Sequence, residues 1–315
     1  MHLRREVSQR AGLEEAFRRD QPFLRALLYR MTGVGADADD LLQETFRRAW
    51  ERPPPDPDRP LRPWLTTVAM NLARDHLRQR RRLPYVGPWL PGIDPEAAST
   101  DLSPSARYDQ RESASFAFLL ALEALPPNAR AVLVLRDVCD LSAAETAQIT
   151  GLSEVNVRTT HRRARQVLGR YEAEKSARGL APTEAAEAVA YGFFQALVTG
   201  DLAAIQAALS EGVELRSDTG GVFLAARRAI HGPRRVASLL YHLGQKVPTL
   251  AVEPCPYNTR LGWRVTHAER PNGRQAPQSW MGFDQDAQGQ IAAIYLILAP
   301  RKLSRAALSE RSKLT

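Results

Sequence analysis

The chain has 315 residues, of which 44% are hydrophobic and 25% are charged, a composition typical of globular proteins with two or three domains. Its longest apolar run, IAAIYLILA, is far shorter than the roughly 18 residues that a membrane-spanning helix needs, and its start, MHLRREVSQR, lacks the apolar segment of a secretory signal. We therefore expect a cytoplasmic protein that makes no membrane contact, and its formal charge of +8 favours a polyanionic partner.

Three segments rich in proline, serine and aspartate divide the sequence, at residues 51–60, 84–112 and 173–183. Helical periodicity fills the stretches between them up to about residue 172. A helix that begins near residue 184 is followed by short alternating stretches that are typical of strands. The sequence therefore predicts an all-helical first half and an α+β domain after it.

The first motif, DADDLLQETFRRAW, has the pattern of an amphipathic helix. Its apolar positions are Ala38, Leu41, Leu42, Thr45, Phe46 and Ala49. Its polar face carries Asp40, Gln43, Glu44 and Arg47. On physical grounds alone this is an ordinary surface helix, whose early acids suit the helix dipole.

The next motif, RPWLTTVAMNLARDHLRQRRR, predicts a second helix that starts at Pro63, a residue favoured in the first turn. Its inward positions are Leu65, Val68, Ala69 and Leu72. The opposite side carries a polar and basic line of Asn71, Arg74, Arg78 and Arg81. With Trp64 and Tyr85 nearby, this line supplies the charge and stacking that single-stranded nucleic acid needs.

Residues 85–92, YVGPWLPG, form an unusual linker, which we call the apolar clamp. Proline and glycine forbid a regular helix there, whereas linkers normally avoid Tyr and Trp. Burying one tryptophan removes on the order of 150–250 Å² from water. We therefore expect the apolar clamp to dock on the C-terminal domain, the alternative being that Trp89 packs on its own neighbouring helices.

A helix-turn-helix pattern is the most specific local signal. An apolar helix over 129–138 is followed by Ser142 and Glu145 in a capping box, by a turn at Gly151, and by a helix capped by Ser153. That last helix carries a stripe of Arg158, Arg162 and Arg165, with Thr159, His161 and Arg163 beside it. Because arginine binds phosphates and guanine edges and a major groove admits one helix, the pattern favours duplex DNA over a merely solvated basic helix.

With these motifs in this order, residues 10–172 resemble an extracytoplasmic-function (ECF) sigma factor of bacterial RNA polymerase. The first two motifs resemble sigma region 2 and the helix-turn-helix resembles sigma region 4. The resemblance implies that the core polymerase is bound at its β′ clamp and β flap, with region 2 contributing Asp39, Asp40, Gln43, Glu44, Arg47 and Trp50. It also implies that the melted minus-ten element is read by Trp64, Asn71, Arg74, Arg78 and Arg81, and the minus-35 duplex by Arg158, Thr159, His161, Arg162, Arg163 and Arg165.

The last part of the chain resembles a SnoaL-like domain, an α+β cone of the NTF2-like superfamily that a subgroup of these sigma factors carries. YVGPWLPG resembles the linker YVGPWLPEP of that subgroup, the segment from Asp218 to Val222 resembles its DGGGK motif, and APRKL matches NPDKL in part. The resemblance implies a regulatory contact within the chain that involves Tyr85, Trp89, Leu90, Pro91, Asp218, Gly220 and Gly221.

The expected fold is therefore multidomain, with two all-α sigma domains followed by an α+β SnoaL-like cone. The expected boundaries are region 2 at 1–83, a linker at 84–112, region 4 at 113–172, a linker at 173–183, the SnoaL-like domain at 184–303 and a tail at 304–315. The expected function is promoter-specific transcription initiation, modulated in cis by the last domain.

Two alternatives remain open. One is a DNA-binding regulator that works without the polymerase, and the other is a small-molecule enzyme or sensor with a DNA-binding region. Catalytic SnoaL-like relatives use acid and base side chains in the cone, for which Asp218, His231 and His267 are candidates. Because single histidines on strands are more often structural, we expect no enzyme and no cofactor. Cys139 and Cys255 lack metal-ligand spacing, so we also expect no metal site.

Overall fold

The computed structural model describes residues 2–54, 60–82, 85, 87–94, 100, 102–103, 105–178, 184–246, 249–255, 257, 262–268 and 275–303. The predicted tail and the middle of the proline-rich loop 51–60 lie outside the described residues. The chain forms two compact units, one of Met1–Leu83 with Asp94–Glu172 and the other of Pro84–Ile93 with Ala173–Thr315. Both predicted sigma regions therefore share one unit, and the apolar clamp belongs to the other.

The first unit is built from helices. They are α1 (His2–Thr32), α2 (Gly35–Glu51), α3 (Leu61–Arg82), α4 (Gln110–Ser113), α5 (Phe116–Leu122), α6 (Pro127–Leu133), a π-helical turn (Val134–Val138), α7 (Ala143–Thr150) and α8 (Glu154–Arg178), whose end passes into the second unit. Helices α1, α2 and α3 pack on one another and bury Leu27, Leu42 and Leu65. In the described part of the chain, no helix has the length and apolar character needed to cross a bilayer.

The helix-turn-helix forms where the sequence places it. The Ser142 hydroxyl accepts a hydrogen bond from the Glu145 amide at 3.1 Å, and the Glu145 carboxylate accepts one from the Ser142 amide at 2.8 Å. Gly151, with a φ of +71°, ends α7 in a left-handed conformation that glycine adopts without strain. Val157 and Leu168 are fully buried, so α8 is anchored through its apolar positions and leaves other faces open.

The second unit combines helices with one sheet. Its elements are α9 (Glu184–Thr199), α10 (Leu202–Ala207), β1 (Leu209–Asp218), β2 (Ile230–His231), α11 (Pro233–Lys246), β3 (Thr249–Pro254), β4 (Gly262–His267), β5 (Gln278–Gln285), β6 (Ile291–Ile297) and α12 (Pro300–Leu303). The strand order is β2-β1-β6-β5-β4-β3, in which β1 and β6 are parallel and the other neighbours antiparallel. The predicted fold class, helical domains followed by an α+β domain, is confirmed.

Aromatic side chains fill the core between this sheet and its helices. Phe194 lies 4.8 Å from Trp263 between ring centroids, and Phe193 lies 5.3 Å from Phe283. These rings belong to one buried cluster that also takes in Leu240 of α11. The aromatic contacts therefore fix α9 against β4 and β5, whereas α11 packs on β1 and on the neighbouring helices.

Candidate nucleic-acid interface and the apolar clamp

The outer face of α2 is charged and exposed, as its pattern predicts. Asp40, Gln43 and Arg47 are exposed, and Glu44 accepts hydrogen bonds from the guanidinium groups of Arg47 and Arg48. These hydrogen bonds lower the pKa of Glu44 to about 2, so its carboxylate is ionised at any physiological pH. The outer face of α2 therefore carries acidic and basic side chains that are paired with one another.

Asp39 has a different environment from the rest of this set. Its carboxylate accepts a hydrogen bond from Arg25 of α1 at 2.7 Å, and the same guanidinium pairs with the buried Asp94 at 2.5 Å. Arg25 therefore holds Asp39 against α1, and the part of Asp39 in core-polymerase binding stays a prediction. Sequence periodicity could not reveal this, since the arginine lies on another helix.

An apolar groove of about 320 Å³ lies beside the charged face of α2. Its walls include Phe17, Phe46 and Trp50, and the rings of Phe17 and Phe46 meet edge to face at 4.8 Å between centroids. Trp50 keeps 46% of its surface exposed. A large aromatic side chain left in water next to ordered charges is typical of a protein-binding surface.

The basic line on α3 is only partly open. Asn71 is exposed and Trp64 is half-buried, but Arg74 is 9% exposed and donates hydrogen bonds to the Thr150 carbonyl at 2.6 Å and to Asn71 Oδ1 at 2.5 Å. Burial lowers the pKa of Arg74. The expectation that Arg74 lies on the open side of α3 is wrong in this conformation, because α7 packs there.

The C-terminal end of α3 contacts region 4 through its remaining cations. Arg81 donates to the Leu125 carbonyl at 2.6 Å, and Arg78 donates to Asn128 Oδ1 at 3.1 Å. All three predicted minus-ten cations, Arg74, Arg78 and Arg81, therefore donate to oxygen atoms of region 4. Carbonyl and amide oxygens thereby take up part of the donor capacity that phosphate oxygens could use.

Glu123 is the centre of the contact between the two sigma regions. Its carboxylate pairs with Arg80 of α3 at 2.5 Å and with the buried Arg130 of α6 at 2.6 Å. Burial alone would raise the pKa of Glu123, but Arg130 and Arg80 outweigh it and hold that pKa below its usual value. Burial lowers the pKa of Arg130 to about 10, so the guanidinium stays charged at neutral pH. Arg130 also donates to the Met31 carbonyl at 2.9 Å, which ties α6 to α1.

The second helix of the helix-turn-helix is open. Arg158, Arg162 and Arg163 are exposed, and Thr159 and Arg165 are half-buried. Within the described residues, the one acid paired with this stripe is Glu154, whose carboxylate lies 2.7 Å from the Arg158 guanidinium. The pair is exposed and contributes little to stability.

His161 does not belong to this open stripe. Its Nε2 lies 2.7 Å from Asp137 Oδ1 in the π-helical turn, and both side chains are largely buried. Asp137 holds the imidazole toward the body of the unit, and a minus-35 contact of His161 stays a prediction. His161 is suited to fixing the position of α8 rather than to reading a base.

The apolar clamp is bound through Asp218, the last residue of β1. Asp218 is completely buried, and its carboxylate accepts hydrogen bonds from the Tyr85 hydroxyl and from the Leu90 amide, the latter at 2.7 Å. Lys302 of α12 lies 2.5 Å from the same carboxylate and donates to the Leu90 carbonyl at 2.7 Å. Its ammonium also lies 4.5 Å from the ring centroid of Trp89. One buried ion pair therefore binds the linker backbone and both of its aromatic side chains.

The end of the clamp is held by the backbone and by a tyrosine that the sequence did not single out. The Ile93 amide donates to the Lys302 carbonyl at 2.8 Å, and the Tyr257 hydroxyl donates to the Gly92 carbonyl at 2.6 Å. A Cβ at Gly92 would lie 3.1 Å from the Lys302 Cα, so a larger residue would push α12 away. Pro91 is buried within this segment.

The two glycines after Asp218 shape the turn that positions its carboxylate. Gly220 and Gly221 have φ angles of +60° and +81°, and the Gly220 amide donates to Asp218 Oδ1 at 3.0 Å. Glycine adopts this left-handed conformation at little cost. The turn therefore supplies one more hydrogen bond to the carboxylate that binds the clamp.

Lys302 is the functional residue that sequence reasoning missed. The terminal APRKL was noted as a partial motif, but nothing in it indicated that its lysine pairs with a carboxylate 84 residues earlier. The one signal that could have found it is a lysine directly after a buried strand, since such a cation needs a buried acid.

The three candidate pocket residues for catalysis are not brought together. Asp218 is occupied by the clamp, and His231 lies on β2, four strand positions from His267 on β4. At about 4.8 Å for each strand step, that is roughly 19 Å across the sheet. The catalytic alternative therefore gains no support from these three candidates, and the aromatic cluster occupies the space between helices and sheet.

The comparisons with known proteins agree with this arrangement. A profile described as Sigma-70 region 2 matches residues 16–83, and one described as Sigma-70, region 4 matches residues 115–168. The chain is 32% identical over 297 residues to the ECF RNA polymerase sigma factor SigJ of Mycobacterium tuberculosis, covering 91% of this chain and 92% of that protein.

Two further similarities extend over both units. The probable ECF RNA polymerase sigma factor SigI of Mycobacterium tuberculosis is 28% identical over 256 residues, which is 79% of this chain and 83% of SigI. The crystal structure of the Mycobacterium tuberculosis SigJ matches with a TM-score of 0.64 at 26% identity, covering 92% of this chain and 98% of that one. The similarity therefore includes the C-terminal domain as well as the sigma regions.

Proposed function

This chain belongs to the ECF family of RNA polymerase sigma factors, and we propose that its free form holds the minus-ten surface closed until the polymerase separates regions 2 and 4. Sigma factors bind the core polymerase and promoter DNA. We propose that different residues of this chain carry polymerase binding and DNA binding, and that contacts between regions 2 and 4 keep the minus-ten residues from binding DNA too early.

The polymerase contact of region 2 is proposed to lie on α2, at the β′ clamp. Asp40, Gln43, Glu44 and Arg47 offer the charges, and Trp50 with its groove offers apolar area for desolvation. Asp39 acts indirectly, since its pair with Arg25 fixes the position of α2 on α1. Region 4 is proposed to contact the β flap.

The two DNA surfaces are proposed to differ in readiness. The minus-35 stripe, Arg158 with Thr159, Arg162, Arg163 and Arg165, is accessible without rearrangement. The minus-ten line, Asn71 with Arg74, Arg78 and Arg81 and with Trp64 beside it, needs region 4 to leave α3. The observation that carries the proposal is the set of hydrogen bonds from Arg74, Arg78 and Arg81 to region 4 oxygens.

The apolar clamp is proposed to regulate this opening in cis. Regions 2 and 4 are joined through the segment that Asp218 and Lys302 hold, so the C-terminal domain limits how far the connection between them extends. A clamp that is docked shortens the free tether, and a clamp that is released lengthens it. The regulatory role of Tyr85, Trp89, Leu90, Pro91, Gly220 and Gly221 follows from their part in this docking.

A retention and transcription assay tests the proposal. The wild-type chain and the variant Asp40→Arg with Glu44→Arg are mixed with core polymerase, and retention on the core and promoter-selective run-off are measured. We expect the variant to lose both, because reversed charges meet a complementary surface with repulsion of several kcal/mol. The matched control is Glu187→Arg with Glu211→Arg, two exposed acids of the C-terminal domain outside the proposed polymerase face, which should leave retention and run-off close to wild type. A wild-type chain that neither binds the core nor selects promoters would overturn the proposal.

A further inference from the structure

The C-terminal domain contains a long segment without acidic residues. Between Asp218 and Glu253 the sequence has no Asp or Glu, yet it contains Arg227, Arg228, Arg234, Arg235 and Lys246. Helix α2 shows the opposite arrangement, since its exposed Arg47 pairs with Glu44 of the same helix. A run of a single charge sign within a folded domain creates a local positive potential.

Four of these cations are exposed in the short stretch that leads through β2 into the start of α11. Helix α11 turns Val236, Ala237 and Leu240 toward the sheet, so that Arg234 and Arg235 are exposed. Arg227 and Arg228, just before β2, are also exposed. We call these four arginines the α11 basic patch. An open groove of about 700 Å³ runs along it and is lined by His231, Arg234, Arg235, Ser238 and His242, among others.

Carboxylates do not neutralise the α11 basic patch. Within the described residues, none of its four arginines is in an ion pair. Glu214 on β1 is the acid opposite β2. Its carboxylate pairs with Arg216, whose guanidinium donates to it at 2.8 and 2.9 Å. Exposed guanidinium groups without a carboxylate partner suit phosphates, which supply both negative charge and hydrogen-bond acceptors.

We propose that the α11 basic patch binds the backbone phosphates of duplex DNA without reading sequence, as a third DNA contact of this chain. The arginines stand on an exposed helix surface with no rigid hydrogen-bonding frame around them, which suits charge neutralisation rather than base readout. Because the same chain holds promoter DNA elsewhere, flanking duplex is present at high effective concentration. A protein partner would need a matching acidic surface, and the test separates that outcome.

The experiment measures binding of the full chain to a duplex of random sequence by fluorescence anisotropy at several salt concentrations, without polymerase. The variant Arg234→Ala with Arg235→Ala is compared with wild type. Each lost phosphate contact lowers the slope of log K against log salt by about one, so we expect a decrease of about two. The control Arg52→Ala with Arg107→Ala removes the same charge from exposed positions outside the patch and leaves the slope unchanged.

Two results would overturn the proposal. Equal slope changes in both double variants would mean that only net charge matters. Unchanged duplex binding, together with weaker retention on core polymerase, would assign the patch to an acidic protein surface instead. The variant Arg234→Lys with Arg235→Lys keeps the charge without the guanidinium fork, so it retains the wild-type slope if the patch acts by neutralising phosphates. Thermal unfolding of each variant shows that loss of binding is not loss of fold.

Discussion

Two clusters of this chain use cations and oxygen acceptors for opposite purposes. At the end of α3, the exposed Arg78 and Arg81 donate to oxygens of region 4 that a phosphate can replace. At the end of β1, the buried Lys302 and Asp218 bind the apolar clamp with almost no access for water. Nucleic acid can therefore compete for the cations at the end of α3. Breaking the pair at the end of β1 instead leaves a buried charge without its partner, which is costly.

This difference explains why a single chain needs both. In the proposed function, the closed minus-ten surface must yield when polymerase and promoter offer better ligands. The linker, which is proposed to set the distance between the two DNA-reading regions, must keep its path while they move. Solvent exposure, rather than the type of residue, decides which of the two behaviours a cation supports.

The largest expected effect comes from breaking the buried pair. Lys302→Met leaves the Asp218 carboxylate buried without a cation, which costs on the order of 3–5 kcal/mol. We expect a decrease of that size in the free energy of unfolding of the second unit, measured by urea denaturation. We also expect faster hydrogen exchange at the amides of Leu90 and Ile93, which donate to Asp218 and to the Lys302 carbonyl.

The matched control is Lys246→Met, which makes the same substitution at an exposed position of α11 in the same unit. It should leave the stability of the second unit and the exchange of the clamp amides close to wild type. If Lys302→Met were no more harmful than Lys246→Met, the clamp would not depend on the buried pair, and the contrast between the two clusters would fail.

A smaller effect is expected from opening the first unit. Glu123→Gln removes the carboxylate shared by Arg80 and Arg130 and weakens the contact between regions 2 and 4 by roughly 1–3 kcal/mol. Because every 1.4 kcal/mol is a factor of ten, affinity of the free chain for single-stranded minus-ten DNA should rise about tenfold, as measured by anisotropy.

For that variant, Glu154→Gln is the control, since within the described residues Glu154 forms an ion pair with the exposed Arg158 alone. It should leave single-strand affinity unchanged. A Glu123→Gln protein that is less stable but binds single strands no better would show that region 4 does not compete with DNA for α3.

The open and closed DNA surfaces should also differ in when their arginines matter. Arg158→Ala should weaken binding of the free chain to a matched minus-35 duplex by about 1–3 kcal/mol if it reads a base. Arg74→Ala should leave that binding unaltered and lower open-complex formation only in the holoenzyme. Equal loss for Arg158→Ala on every duplex sequence would make it a phosphate contact.

Local signals in the sequence predicted the elements well, and contacts between distant elements were missed. The capping box at Ser142, the glycine at Gly151 and the buried positions of α8 follow from neighbours within one or two turns. Arg74 and His161 have the spacing of surface residues on their own helices. Their burial depends on α7 and on Asp137, which periodicity along a single helix cannot report.

The same limit applies to the apolar clamp. Its tyrosine, tryptophan and prolines indicated docking, because exposed aromatic surface is costly. The composition could not identify Lys302 and Tyr257 as its partners, since both come from the far end of the sequence. Pairing over such separations is decided by the sheet order, which places β1 beside β6 and thereby brings α12 to Asp218.

The smallest expected effect is a pH response confined to the second unit. Burial lowers the pKa of His267, whose Nε2 lies 3.0 Å from the Ser279 hydroxyl, so folding favours the neutral imidazole over the protonated one. The unfolded chain takes up a proton below about pH 6.5, whereas the folded unit resists it. Stability from this histidine is therefore fully present above that pH and is lost as pH falls toward the lowered pKa. Denaturation of wild type at several pH values should show this slope, and His267→Gln should flatten it, whereas His231→Gln at an exposed position should not. If the free energy of unfolding of His267→Gln kept the same dependence on pH, another group of this unit would titrate, and the buried charge responsible would have to be sought elsewhere in the unit.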